Sequence, residues 1–92
     1  MIFYHGTSKE NWEKIQREGI LFGERGTRSR CTYLAISKEE ADEYGPVVLQ
    51  VEYDPMMRPK NNNYVDGCWQ VRVYEPIPLS KVTLLNTRKE DK

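Results

Sequence analysis

The chain has 92 residues, of which 38% are hydrophobic and 11% aromatic, and its 14 basic and 14 acidic residues cancel. A chain of this length forms one small domain, and the balanced charge argues against a protein whose main attachment is to bulk nucleic acid or to an anionic membrane. No apolar run approaches the ~20 residues that span a bilayer, and the N-terminus lacks the layout of a signal peptide. We therefore expect a cytoplasmic protein with one domain, residues 1–86, and a charged tail, residues 87–92.

Metal-ligating residues are scarce in this sequence. Cys31 and Cys68 lack the spacing of metal ligands, and the single histidine, His5, cannot complete an ordinary zinc site. We expect no metal, and two free thiols rather than a disulfide, as is usual in the cytoplasm.

The first predicted element is a short strand, Ile2 to Tyr4, which leads to a histidine and a glycine. Because a glycine lets a ligand approach the backbone, His5 and Gly6 in a turn after a strand have a geometry suited to ligand binding. The alternative is a packed strand–turn–helix connection in which the histidine is incidental.

A helix is predicted from Ser8 to about Glu18. Thr7 with Glu10 three residues later has the pattern of a capping box, and Gly19 is a natural left-handed C-cap. The polar loop that follows, residues 23–30, carries three arginines against one glutamate. This loop is either simply solvated, or it directs guanidinium groups at phosphates.

The middle of the chain predicts a strand, a helix and a strand. Cys31 to Ile36 has strand character, Ser37 with Glu40 caps a short helix from Lys38 to Tyr44, and Val47 to Tyr53 alternates as a half-buried strand.

The last third is predicted to be mainly strand. Residues 56–67 have the least regular pattern, Cys68 to Tyr74 and Val82 to Leu85 have strand character, and two prolines at 76 and 78 favour an extended crossing. Helices early and strands late indicate an α+β fold. Four large apolar residues are predicted to stabilise its core: Trp12, Leu49, Val51 and Trp69.

Three stretches together resemble the ADP-ribosyltransferase superfamily, in the branch that uses a His–Tyr–Glu signature. They are Tyr4-His5-Gly6-Thr7-Ser8, then Thr32-Tyr33-Leu34-Ala35 with Ser37, Ala41 and Tyr44, and last Gln70-Val71-Arg72-Val73-Tyr74-Glu75. The order and spacing of the stretches carry the resemblance, which covers nearly the whole chain.

The resemblance implies a small split sheet with two short helices that holds NAD, as a co-substrate, in a cleft. His5 is then expected to bind the adenosine ribose, Gly6 the nicotinamide amide through its backbone, and Tyr33 the nicotinamide ring by stacking. The full expected NAD-binding set is His5, Gly6, Thr7, Tyr33, Ser37, Tyr44, Arg28 and Arg30, and the expected catalytic set is Gln70, His5 and Tyr33.

The departure from the family pattern is at Gln70, where the family has a glutamate. Glutamine is isosteric and forms hydrogen bonds, but it lacks the charge beside the developing cation. Glu75 and Glu52 are two possible substitutes. The expected function is a glycosyltransferase that moves one ADP-ribose unit from NAD to a protein or nucleic-acid acceptor. The alternative within the same fold is a weakly catalytic module that binds NAD or ADP-ribose.

RNA 2′-phosphotransferases are a second resemblance, because they share the fold, use NAD and begin with a similar motif. The stretches Gly67-Cys68-Trp69-Gln70 and Pro76-Ile77-Pro78 echo their third segment, and Arg28 or Arg30 suits one of their arginine roles. Tyr33 departs from the histidine that those enzymes carry near this position, so we rank this resemblance second.

Overall fold

The computed structural model describes residues 1–22 and 31–87. Two α-helices and seven strands follow one another in the order β1, α1, β2, β3, α2, β4, β5, β6, β7. Their bounds are β1 Ile2–Thr7, α1 Lys9–Glu18, β2 Ile20–Leu21, β3 Thr32–Ala35, α2 Lys38–Asp42, β4 Val47–Glu52, β5 Gln70–Val73, β6 Ile77–Pro78 and β7 Val82–Thr87, with short 3-10 helices at Pro55–Met57, Pro59–Asn61 and Leu79–Lys81.

The strands form two antiparallel sheets. Five strands lie in the order β5-β3-β1-β4-β7, and β2 pairs with β6 in a separate two-stranded sheet. The predicted α+β class, with a divided sheet and two short helices, is therefore confirmed. Residues 23–30 and 88–92, which include the predicted arginine loop and most of the predicted tail, lie outside the described residues.

The N-cap differs from the prediction at α1 and agrees with it at α2. Ser8, rather than Thr7, is the N-cap of α1, and its side-chain oxygen accepts a hydrogen bond from the Asn11 N–H. Gly19 adopts the predicted left-handed conformation at the C-terminal end. Ser37 caps α2 as predicted, because its hydroxyl accepts from the Glu40 N–H and donates to the Glu40 carboxylate.

The expected turn at Gly6 is wrong, because β1 continues through His5 and Gly6 to Thr7. All six residues of β1 pair with β4, from Ile2↔Glu52 to Thr7↔Val47. Gly6 is a glycine for a packing reason: a Cβ atom there would coincide with the backbone carbonyl of Ala41 in α2. The absence of a side chain at Gly6 therefore lets α2 lie directly on β1.

The core lies mainly on one face of the five-stranded sheet. Buried side chains from β1, α1, β3, β4, β5 and the small sheet form one cluster, and a smaller cluster joins β3, β4 and α2 on the other face. Leu49 and Val51 are fully buried as predicted, and Trp12 packs against the main cluster. Trp69 was predicted to be a core residue, but it precedes β5 and remains 48% exposed.

The segment between β4 and β5 is more ordered than its sequence suggests. Besides two 3-10 helices, it carries a stretch that pairs with β5: Asn63 and Arg72 exchange backbone and side-chain hydrogen bonds, and the Tyr74 N–H donates to the Asn61 carbonyl. The Tyr64 ring meets Phe3 edge-on with centroids 6.2 Å apart. The outer edge of β5 is therefore paired in its C-terminal part, around Arg72 and Val73.

Candidate functional site

A cleft opens where β1 and β3 part. These neighbours pair at one position, Tyr4↔Ala35, whereas β3 pairs with β5 at four positions. Past that position the gap between the two strands is lined on one side by His5, Gly6 and Thr7, and on the other by residues 31–33. The cleft has a volume of about 640 Å³, within the ~300–1,000 Å³ that is typical of small-molecule sites.

His5 bridges the gap between the two strands. Its Nδ1 lies 2.8 Å from the backbone carbonyl oxygen of Tyr33, so Nδ1 is the protonated nitrogen and donates this hydrogen bond. Burial lowers the pKa of His5 below 6.5, and the hydrogen bond to Tyr33 opposes only part of that change. The imidazole is therefore neutral at pH 7, with Nε2 available as a hydrogen-bond acceptor.

Tyr33, Tyr44 and Gln70 form the other expected part of the site. Both tyrosine rings are about half exposed and line the cleft, Tyr33 from β3 and Tyr44 from the turn after α2. Gln70 begins β5, and its amide nitrogen donates to the Tyr44 hydroxyl at 3.3 Å. The strand register sets Gln70 opposite Ala35, one strand away from Tyr4.

Of the remaining residues expected to bind NAD, two line the cleft, one does not, and two lie outside the described residues. Gly6 and Thr7 line the cleft, although Gly6 also serves the packing of α2. Ser37 is not part of the cleft wall, because it sits at the N-terminus of α2 with its hydroxyl bonded to Glu40. Arg28 and Arg30 lie outside the described residues.

Several lining residues were not expected from the sequence. Asn11 and Lys14 enter the cleft from α1, and Arg72 enters from β5. Thr32 also lines it, and in the described part of the chain its hydroxyl is the only buried side-chain polar atom without a hydrogen-bond partner. The helical period of α1 could have suggested Asn11 and Lys14, but Arg72 and Thr32 are identified only by the pairing of β3 with β5.

Neither of the two possible substitute glutamates reaches the cleft. Glu52 is exposed and pairs with Ile2 at the far end of β1. Glu75 accepts a hydrogen bond from the Tyr53 hydroxyl at 2.8 Å and pairs with the Arg58 guanidinium at 2.5 Å. Among the described residues that line the cleft, Glu18 is the only carboxylate. Within the described ranges, Gln70 therefore shares the cleft with no carboxylate other than Glu18.

Three further observations bear on the class of protein. Within residues 1–22 and 31–87, no group of histidine, cysteine or acidic side chains is arranged to hold a metal ion, and Cys31 and Cys68 are not bonded to each other. No helix in the same ranges is long and apolar enough to cross a membrane. Comparisons with family models, curated proteins and solved structures found no match. The class that fold and site define is a small α+β domain with a ligand-sized cleft in a split sheet.

Proposed function

We propose that the cleft binds NAD and that the protein transfers a single ADP-ribose unit from NAD to an acceptor. One observation carries the proposal: His5, Tyr33 and Gln70, which lie on three different strands, line the same cleft. These are the positions at which the sequence resembles the His–Tyr–Glu branch of ADP-ribosyltransferases. The proposal therefore rests on a shared cleft as well as on a motif.

The chemistry of the walls suits the two halves of a dinucleotide. On the α1 side, the neutral His5 accepts hydrogen bonds through Nε2, and the Asn11 amide lies on the same wall. On the α2 side, Tyr33 and Tyr44 offer exposed ring faces on which a flat base can stack.

The proposed reaction replaces one bond at the anomeric carbon of the nicotinamide ribose. A nucleophilic atom of the acceptor forms the new bond, nicotinamide leaves as a neutral molecule with the electron pair of the broken C–N bond, and the acceptor loses one proton to solvent. Positive charge builds on the sugar in the transition state. Fixed hydrogen bonds and an aromatic wall therefore contribute more to the rate than a proton shuttle does.

The test is incubation of the protein with NAD labelled in the adenylate half, together with protein and oligonucleotide acceptors. We expect release of nicotinamide and attachment of the label to an acceptor. Calorimetry with NAD gives the binding step separately. Absence of NAD binding would remove the proposal, and loss of an internal 2′-phosphate from an RNA substrate would assign the chain to the phosphotransferase reaction instead.

A second candidate is a module that binds NAD or ADP-ribose without turnover. It is favoured by Gln70, because no described carboxylate other than Glu18 lines the cleft. The two candidates are separated by Gln70→Glu, with the exposed Gln16 of α1 changed to glutamate as a matched control. If a charge is needed beside the sugar, the Gln70 variant gains about 30- to 1,000-fold in nicotinamide release, equivalent to ~2 to 4 kcal/mol of barrier. Turnover by the unchanged protein would exclude the module.

A further inference from the structure

We infer that the acceptor is a single-stranded nucleic acid, held by Arg72 and Tyr74 at the outer strand of the five-stranded sheet. The inference rests on the proposed transfer function, because it names the acceptor for that reaction. Its evidence is a surface next to Gln70, formed by Arg72 and Tyr74 and called here the β5 surface.

The β5 surface shares one face of the sheet with the reaction site. Val71 and Val73 are buried in the main core, so Gln70 and Arg72 point to the opposite face, and Tyr74 follows directly after the strand. Arg72 is the direct cross-strand neighbour of Tyr33. The β5 surface therefore lies next to Gln70 and Tyr33, which are part of the proposed reaction site.

The Arg72 guanidinium is available to a ligand. Arg72 is exposed and lines the cleft, and its side chain forms no hydrogen bond or ion pair with any residue in the described ranges. Its backbone is held by Asn63, whose side-chain oxygen lies 2.6 Å from the Arg72 nitrogen. A fixed backbone, with a guanidinium that has no partner among the described residues, is an arrangement suited to binding an anion at a defined position.

Tyr74 adds an aromatic face beside this cation. Its ring is 36% exposed, and its backbone nitrogen donates to the Asn61 carbonyl oxygen at 2.8 Å. Tyr74 is two residues beyond Arg72, so the Cα atoms of the two residues lie at most about 7 Å apart. A guanidinium for a phosphate and a ring for a base at this spacing are the two elements by which proteins hold single strands.

Both features together favour a nucleotide over an acidic protein side chain. A carboxylate would satisfy Arg72, but it would leave the exposed Tyr74 ring without a flat partner. The balanced charge of the chain limits the contact to few phosphates.

The binding test is fluorescence anisotropy of labelled ten-nucleotide DNA and RNA single strands, titrated at several salt concentrations. Arg72→Gln should weaken binding and reduce the magnitude of the log–log salt slope by about 0.7, the value for one phosphate contact on a single strand. Tyr74→Ala should weaken binding about 5- to 160-fold, equivalent to the ~1–3 kcal/mol of one lost base stack. Arg17→Gln, on the exposed part of α1, loses the same charge and should change neither quantity.

The transfer test uses labelled NAD with the oligonucleotide and with an acidic peptide in parallel. We expect label on the oligonucleotide and its loss in Arg72→Gln, with every protein assayed at an NAD concentration that calorimetry has shown to be saturating for it. Equal strand binding by the Arg72 and Arg17 variants, no strand binding by the unchanged protein, or label on the peptide alone would overturn the inference. Failure to bind NAD would instead overturn the proposed function. In that case the anisotropy titration with single-stranded DNA and RNA would still show whether Arg72 binds a nucleic acid.

Discussion

His5 is the residue whose protonation links the cleft to the stability of the fold. Its pKa is lowered by burial, so between that lowered value and 6.5 the unfolded chain binds more protons than the folded one. The contribution of neutral His5 to the stability of the fold is therefore complete above pH 6.5 and is lost as the pH falls through the pKa of His5 in the folded protein. We expect the free energy of unfolding to decrease from pH 7.5 to pH 5.5, measured by urea denaturation.

The control for this pH dependence is His5→Gln, whose amide can still donate to the Tyr33 carbonyl but does not titrate. The variant should lose less stability than the unchanged protein over the same pH interval. An identical loss in both proteins would show that another group is responsible. NAD binding by the unchanged protein should weaken over the same interval, because protonation removes the Nε2 acceptor.

Gly6 is predicted to be required for folding rather than for binding alone. A Cβ at this position would coincide with the backbone of Ala41, which cannot move without displacing α2 from β1. Gly6→Ala should cost ~3 kcal/mol or more, measured by urea denaturation. Gly19→Ala is the control: it meets no atom within 4 Å, and only its φ of 75° resists, at ~1–2 kcal/mol. A loss no greater for Gly6 than for Gly19 would contradict this packing argument.

At the scale of elements, a network of polar side chains stabilises the segment between β4 and β5. The Glu75 carboxylate accepts from Tyr53 and Arg58, while the Asn62 amide donates to the Pro55 and Arg58 carbonyls. Burial, reinforced by the bond to Glu75, raises the pKa of Tyr53 to about 12. The bond to Arg58, more than the other contacts, lowers the pKa of Glu75. The network joins the end of β4 to the residue after Tyr74.

Glu75→Gln is predicted to destabilise the fold by weakening this polar network, and the size of the loss should depend on pH. The contribution of Glu75 is present above its ordinary pKa of 4.5 and is lost as the pH falls through the lowered folded value. We expect a loss of about 1 kcal/mol at pH 7 for the bond to Tyr53, and a difference from the unchanged protein that shrinks as the pH falls below 4.5. Thermal unfolding between pH 2 and pH 7 measures both, with the exposed Glu52→Gln as the charge-matched control.

At the scale of the whole molecule, stability depends on the main core and not on every large apolar residue. Leu49 is fully buried in β4, so Leu49→Ala should cost ~2–5 kcal/mol. Trp69 is 48% exposed, so Trp69→Ala should cost less than Leu49→Ala although more atoms are removed. Denaturant midpoints of the two variants compare these costs. A larger loss at Trp69 would mean that the ring is buried in solution.

Sequence patterns identified those elements whose signal is local. The caps at Ser37 and Gly19 and the alternation of β4 depend on neighbours within a few residues, and these were predicted correctly. The helix start at Ser8 and the continuation of β1 through Gly6 were missed, because two adjacent hydroxyl residues can both serve as caps and because β4 provides the hydrogen bonds that extend β1.

The sequence alone determined the α+β class, the two helices and the polar and aromatic residues that are candidates for a site, because composition and periodicity are properties of nearby residues. The tertiary structure decided where β1 and β3 part, which residues line the resulting cleft, and that Arg72 faces Tyr33 while Glu75 is bonded elsewhere. These facts depend on strand register and on pairing between distant segments. No local pattern specifies them, since a shift of one residue in register would turn each side chain to the other face of the sheet.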